Sequence, residues 1–213
     1  MKQRIGVLGG SFDPIHYGHL ILAEQIKTEA KLDRILFVPA FVSPFKIWNK
    51  PVDRIHRLKM LELAIGDHDG FDISTIELDK DEPSYTYETL CSLRQQYGSD
   101  TDLYFIIGTD AFMHIEEWNC SRELLSEFSF LIGLRKGYNE GKLETILDDL
   151  ATRYPLDAQY IRIPELEIAA SDLRDRMATG KSVKFLLPDP VIDYIQRKGL
   201  YQSTARRLQA FVR

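Results

Sequence analysis

Apolar residues along the chain recur with two periods, and the switches between them set the expected elements. Residues 4–8 are a short apolar run leading into Gly9-Gly10-Ser11. From Gly18 the pattern turns helical, with Leu22, Ala23, Ile26 and Ala30 on one face. Residues 34–38 read as a second strand, closed by Pro39, which cannot donate to a ladder. A helix is expected from about Asp53, with Leu58, Leu61, Ala64 and Ile65 on its apolar face and Arg54, Arg57 and Lys59 on the polar one. Residues 71–78 read as a third strand. A helix follows Ser84-Tyr85-Thr86, in which either hydroxyl residue could serve as cap.

The unbroken run 103–107 predicts a central parallel strand buried on both faces, and strands follow at 130–134 and 160–163. Between them a helix carries Leu143, Ile146, Leu147 and Leu150 on one face. A short helix over 168–176 is expected to end at Gly180. In the last helix Asp189 is the expected N-cap, Pro190 the first helical residue and Gly199 the stop. The alternation predicts an α/β fold: a Rossmann-like, doubly wound, mostly parallel sheet with a helical C-terminal part. Residues 1–202 read as a single domain. Residues 203–213 form a basic amphipathic tail, either unstructured or docked on a neighbour, so a homo-oligomer is one expectation.

Composition narrows the function classes. A formal net charge of −5 over 213 residues argues against bulk nucleic-acid binding, which needs a basic face. Cys91 and Cys120 make neither a zinc pattern nor a disulfide framework, so reduced thiols are expected. No basic and apolar leader precedes the first strand, and no apolar run approaches the roughly 20 residues that span a bilayer. The expectation is a cytoplasmic protein with no membrane partner.

The chemistry concentrates in the first turn. Gly9-Gly10-Ser11 lacks the spacing of a Walker A loop and of a dinucleotide fingerprint, yet His16 and His19 stand at the entrance of the helix that follows. A helix N-terminus favours anions through its N–H groups and macrodipole, so two imidazoles there suggest phosphate. Later strand ends supply partners: Lys46 on the long second loop, Asp110 after the fourth strand, Arg135 after the fifth, and Ser171 to Arg174 opening a later helix. Singly, these read as a loop lysine, a turn residue and surface cations. At one sheet edge they read as a site. His56, His68 and His114 read as structural or surface residues.

The segment Gly10-Ser11-Phe12-Asp13-Pro14-Ile15-His16-Tyr17-Gly18-His19 resembles the GxFDPxHxGH signature of the nucleotidyltransferase superfamily. Ile168-Ala169-Ala170-Ser171-Asp172-Leu173-Arg174 is similar to its ISSTxxR signature, with alanine at two serine positions. Further segments resemble the bacterial nicotinate-nucleotide adenylyltransferase family: Ser43-Pro44-Phe45-Lys46 against PPHK, with Phe45 in place of histidine, Pro83-Ser84-Tyr85-Thr86 against GPSYT, Ile107-Gly108-Thr109-Asp110 with Trp118 against IGxD and a following tryptophan, and Arg135-Lys136-Gly137 against RPG. The similarity runs nearly the whole chain.

The resemblance implies transfer of AMP from ATP to nicotinate mononucleotide, with both as binding partners. It implies that His16 and His19 act on the phosphates, His19 nearer the α-phosphoryl group, while Lys46 and Arg174 neutralise charge. Gly9, Gly10, Ser11, Phe12, Asp110 and Ser171 would complete the ATP site, Asp110 as a ribose-hydroxyl acceptor. Tyr85, Thr86, Trp118 and Arg135, with Lys46, would hold the pyridine nucleotide, Trp118 by stacking on its ring. Mg²⁺ is expected to travel with ATP, held by phosphate and water oxygens rather than by dedicated protein ligands. The alternatives are adenylyl or cytidylyl transfer to another phosphate, such as phosphopantetheine, and a non-catalytic nucleotide-binding module.

Overall fold

The computed structural model describes residues 2–41, 51–66, 68–80, 83, 85–135, 140–164 and 166–202, with Arg135 in its backbone only. The order is β1 (Gln3–Gly10), α1 (Tyr17–Glu29), β2 (Arg34–Pro39), α2 (Arg54–Ile65), β3 (Phe71–Ile73), α3 (Thr86–Tyr97), β4 (Thr101–Gly108), α4 (Thr109–Phe112), α5 (Ser121–Glu127), β5 (Ser129–Arg135), α6 (Glu140–Arg153), β6 (Asp157–Ile163), α7 (Ala170–Thr179) and α8 (Asp189–Lys198). A 3-10 turn, Ile115–Glu117, lies between α4 and α5.

The six strands form one parallel sheet in the order β3-β2-β1-β4-β5-β6. β1 pairs on both edges, Val7 lying against Leu36 on β2 and Phe105 on β4, which explains why it reads as a continuous apolar run. Two apolar layers cover the sheet. One joins Leu8, Phe12, Ile15, Ala23 and Ile26 to Met60 and Leu61 of α2, Leu173 of α7 and Val191 of α8. The other joins Ile5, Val7 and Phe105 to Leu90 and Leu93 of α3, Leu124 of α5 and Leu143 and Leu150 of α6. This is the doubly wound arrangement expected from the sequence. Strand order reverses direction between β1 and β4, and ligands of such sheets bind in the crevice at the carboxyl ends there. Among the described residues, no helix is long and apolar enough to cross a membrane.

Several boundaries depart from the pattern. β3 stops at Ile73, because the chain bends into a turn in which Leu78 N–H donates to the Thr75 carbonyl at 2.7 Å and the Thr75 hydroxyl donates to Asp79 at 3.1 Å. Ser74 N–H makes the last bond to β2, to the Phe37 carbonyl at 2.9 Å, and residues 75–78 serve a turn rather than a ladder. Tyr85 is the N-cap of α3 and Thr86 lies inside the helix, so Thr86 is not its cap; Ser84 lies outside the described residues. Pro188, not Asp189, is the N-cap of α8, one residue earlier than the spacing suggests. Gly180 and Gly199 close α7 and α8 in the left-handed conformation that glycine adopts without a Cβ penalty. The largest departure is Arg57. It was expected on the polar face of α2 and is 1% exposed.

Candidate active site

The site begins where β1 ends. Gly9 and Gly10 carry the chain out of the sheet into Ser11, and Phe12 turns it with φ 46°. Asp13–Pro14 is a cis peptide bond. Phe12 is buried, its ring edge-on to His19 at 5.1 Å between centroids and tilted against Phe37 at 5.8 Å. The turn is therefore pinned to the core by an aromatic side chain while its backbone stays at the sheet edge.

His16 is the N-cap of α1, and its carbonyl accepts the His19 N–H at 2.9 Å. Three residues apart on one helical turn, the two imidazoles stack with centroids 3.7 Å apart and planes 30° apart. No side chain caps α1 and no acidic residue occupies its first turn. The Tyr17 N–H donates to the Leu186 carbonyl at 3.1 Å, and two imidazoles stand beside the positive end of the helix, a combination suited to an anion. Gly18 makes this packing feasible: a Cβ there would stand 2.9 Å from His16 Nδ1 and 3.0 Å from its Cε1.

The second motif arrives at the same place. The Ile168 carbonyl lies 3.6 Å from where that Gly18 Cβ would be, so the approach to α7 runs past the entrance of α1. α7 opens from Ala169 with no side-chain cap, which sets a second helix N-terminus beside the first. Arg174, one turn into α7, donates from Nη1 to the Asp13 carbonyl at 2.8 Å and has the same nitrogen 3.8 Å from Asp13 Oδ2. Ser171 lies three residues before it, its hydroxyl 3.4 Å from Asp172 Oδ1.

Asp13 is the hub of this region. The residue is 7% exposed, and its carboxylate accepts the Tyr201 hydroxyl at 2.5 Å and the Val52 N–H at 3.4 Å and faces Arg174. Burial pushes the Tyr201 phenol well above its ordinary pKa, and the negative charge of Asp13 pushes it further. The turn after β1 is thus tied to α7 and to the segment after α8.

On the opposite face of the sheet, Trp118 follows the 3-10 turn, half-buried, with its ring edge-on to Phe105 at 6.1 Å. The Phe105 ring in turn lies 3.8 Å from where a Gly9 Cβ would stand. Trp118 therefore reaches the glycine turn through one intervening ring. α3 belongs to the same layer and opens at Thr86 with no side-chain cap. Asp110 is exposed in the first turn of α4, directly after β4, where the buried Thr109 hydroxyl donates to the Gly133 carbonyl at 2.9 Å.

Of the residues singled out by sequence, Gly9 to Phe12, His16, His19, Ser171 and Arg174 meet at the β1 end. Trp118, Thr86, Tyr85 and Asp110 belong to the other layer or its edge. Lys46 lies outside the described residues, as does the side chain of Arg135. Sequence reasoning did not assign Asp13, Arg57 or Tyr201. Asp13 was in plain view inside the quoted motif; the other two gave no signal, since Arg57 bonds to backbone carbonyls and Tyr201 lies 188 residues from its partner. His56 contacts the Tyr194 hydroxyl at 2.8 Å, His68 pairs with Glu24 and His114 with Glu117, in keeping with structural and surface roles.

Known proteins place this geometry. A family profile described as cytidylyltransferase-like matches residues 7–179. A curated protein of Thermoanaerobacter sp. (strain X514), named "Probable nicotinate-nucleotide adenylyltransferase", is 40% identical over 202 residues, covering 95% of this chain and 96% of its own. A protein of Streptococcus pneumoniae serotype 4 with the same name is 39% identical over 200 residues, covering 94% and 90%. In three dimensions, Plasmodium falciparum nicotinic acid mononucleotide adenylyltransferase complexed with NaAD superposes with a TM-score of 0.76 over 93% of this chain and 97% of that one. At 23% identity that likeness speaks for the fold. With the profile spanning most of the chain and curated relatives matched end to end, the chain belongs to the cytidylyltransferase-like family and, within it, to the nicotinate-nucleotide adenylyltransferases.

Proposed function

We propose that this protein transfers the adenylyl group of ATP to nicotinate mononucleotide, forming nicotinate adenine dinucleotide and pyrophosphate. The observation that carries the reading is the meeting of two motifs about 160 residues apart: the stacked His16–His19 pair at the α1 entrance, and α7 bringing Arg174 onto Asp13. Two helix N-termini without side-chain caps, two imidazoles and a guanidinium suit a polyphosphate better than any neutral ligand.

The acceptor phosphate is a monoester with a second pKa of about 6, so near neutral pH it is largely a dianion and needs no general base. What the chain supplies is alignment and charge stabilisation during in-line displacement at the α-phosphorus. In this reading His19 and His16 stabilise the charge that builds on the phosphoryl oxygens, and Arg174, with the N–H groups of α7 at Ser171, holds the leaving pyrophosphate. The glycine turn lets the backbone approach the nucleotide closely. Lys46 and Arg135 are assigned to charge on the acceptor, and Asp110 to a ribose hydroxyl. Mg²⁺ is assigned to the ATP it arrives with, bound mainly by phosphate and water oxygens, and supplies charge neutralisation there. Trp118 and the start of α3 at Tyr85 and Thr86 lie in the opposite layer from the histidines, which supports an acceptor entering from that side. An indole can stack on the pyridine ring, and the uncapped start of α3 suits its carboxylate.

A pyrophosphate-release assay with ATP and Mg²⁺ against nicotinate mononucleotide, nicotinamide mononucleotide and phosphopantetheine tests the reading. Release is expected with nicotinate mononucleotide. Release only with phosphopantetheine, or with none of the three, overturns it.

A further inference from the structure

Arg57 is the most deeply buried charged side chain among the described residues, 1% exposed, and none of its hydrogen bonds goes to a side chain. Nε donates to the Val52 carbonyl at 3.1 Å, Nη1 to those of Ser11 at 2.9 Å and Ala40 at 2.6 Å, and Nη2 to that of Phe41 at 3.0 Å. The four acceptors come from three stretches of chain: the turn after β1, the exit of β2, and the entry to α2. Burial lowers the pKa of the guanidinium, and the charges of Asp13 and Asp53 oppose that shift. It remains a cation, since arginine does not deprotonate in proteins.

A charge placed where water is excluded is costly, but the rigid planar fork of a guanidinium can hold several carbonyls at once, which an apolar residue cannot. Here it holds backbone, so the side-chain types at 11, 40, 41 and 52 are immaterial and only the path of the chain is fixed. That path matters because Ser11 opens the turn leading to His16, and Ala40 N–H already donates to the Gly10 carbonyl at 2.9 Å. Arg57 extends that pairing beyond the last residues of β1 and β2, where the sheet itself has ended.

We infer that Arg57 is a positioning residue for adenylyl transfer: it locks the glycine turn of the phosphate site in register with the chain leaving β2 and entering α2, without touching substrate. The inference rests on the adenylyltransferase reading above. A lysine keeps the charge but offers one flexible head, which cannot satisfy four carbonyls in a fixed plane. A misplacement on the order of 1 Å at a reacting centre costs about 10²-fold in rate.

The test compares wild type, Arg57→Lys, Arg57→Ala and the control Lys59→Ala, an exposed residue of the same helix paired with Glu62. Turnover at about 10 °C is normalised to the folded fraction read by circular dichroism. For Arg57→Lys we expect kcat to fall about 10²-fold, with KM for each substrate changing less than about threefold. Millimolar guanidinium should restore at least about tenfold of the kcat lost in Arg57→Ala and leave the lysine variant unchanged. The control should match wild type. An Arg57→Lys enzyme with kcat within about threefold of wild type per folded molecule overturns the inference. So does a loss confined to KM, an absence of guanidinium rescue, or the failure of both variants to fold, which would make Arg57 a residue of stability alone. If wild type itself releases no pyrophosphate, it is the functional reading that fails, and that outcome is separate.

Discussion

Replacing Tyr201 by Phe removes one oxygen, and the structure says what that oxygen holds. Its hydroxyl donates to Asp13 Oδ1 at 2.5 Å inside a region where Asp13 is 7% exposed. Without it, among the described residues, the carboxylate keeps longer contacts, the Val52 N–H at 3.4 Å and Arg174 at 3.8 Å. A hydrogen bond to a charged acceptor contributes about 1.5–3 kcal/mol, so ~2 kcal/mol is the expected loss at pH 7. In a domain of this size each kcal/mol moves Tm by about 2–4 °C, which puts the drop at about 4–8 °C.

Alkaline pH gives a second reading of the same contact. The Tyr201 phenol is pushed up by burial and by Asp13, so its proton is held in the native state after the unfolded chain has lost it. Above about pH 10 the unfolded state therefore binds fewer protons than the native one, and stability falls as pH rises, by about 1.4 kcal/mol per pH unit for one such group. Tyr87, Tyr97 and Tyr160 shift the same way, so the wild-type alkaline limb contains several contributions. The Phe variant should start lower at pH 7 and descend less steeply, the difference being the share of one group. Thermal unfolding of both proteins at pH 7 and urea unfolding at pH 7, 10 and 11 measure this. A Tm change under about 1 °C at pH 7, or alkaline limbs that run parallel, refutes the account.

Three further outcomes follow from the site. His19→Ala should lower kcat by about 10²–10³-fold with little change in either KM, since a group that stabilises developing charge acts in the transition state; near-normal turnover in steady-state assays would remove His19 from the chemistry. Trp118→Ala should raise KM for the pyridine nucleotide while sparing ATP, and an effect confined to ATP would place the ring elsewhere. Gly18→Ala forces a Cβ to within 2.9 Å of His16 Nδ1, so the imidazole stack must shift; kcat should fall at least about tenfold while Tm changes little, and unchanged kcat would mean that the stack is not required.

The alternation of strands and helices and the turn after β1 were legible because their signals are local. A glycine turn between a strand run and a helical run sets two histidines three residues apart at one helix entrance, where their rings stack, and the Gly180 and Gly199 stops follow from backbone sterics alone. Residues 74–78 misled because alternation satisfies a turn and a strand equally until the Thr75–Asp79 contact is seen. Arg57 was illegible for a different reason: a cation on a helix reads as solvated unless its partners are visible, and backbone carbonyls leave no trace in residue types. Tyr201 is 188 residues from Asp13, a separation that no window of sequence spans.

That separation also sets a clock on synthesis. Asp13 is made 188 residues before Tyr201 and 161 before Arg174. At a translation rate of about 5–20 residues per second, the interval to Tyr201 is on the order of 10–40 s. Throughout it the nascent chain carries its glycine turn and both histidines, but the buried carboxylate at their base waits for two of its partners. This corner of the fold is therefore a late product of folding, finished only when the last helices come down on the turn after β1, and a fragment broken off just before Tyr201 carries the recognisable motif without the shortest contact of its buried carboxylate.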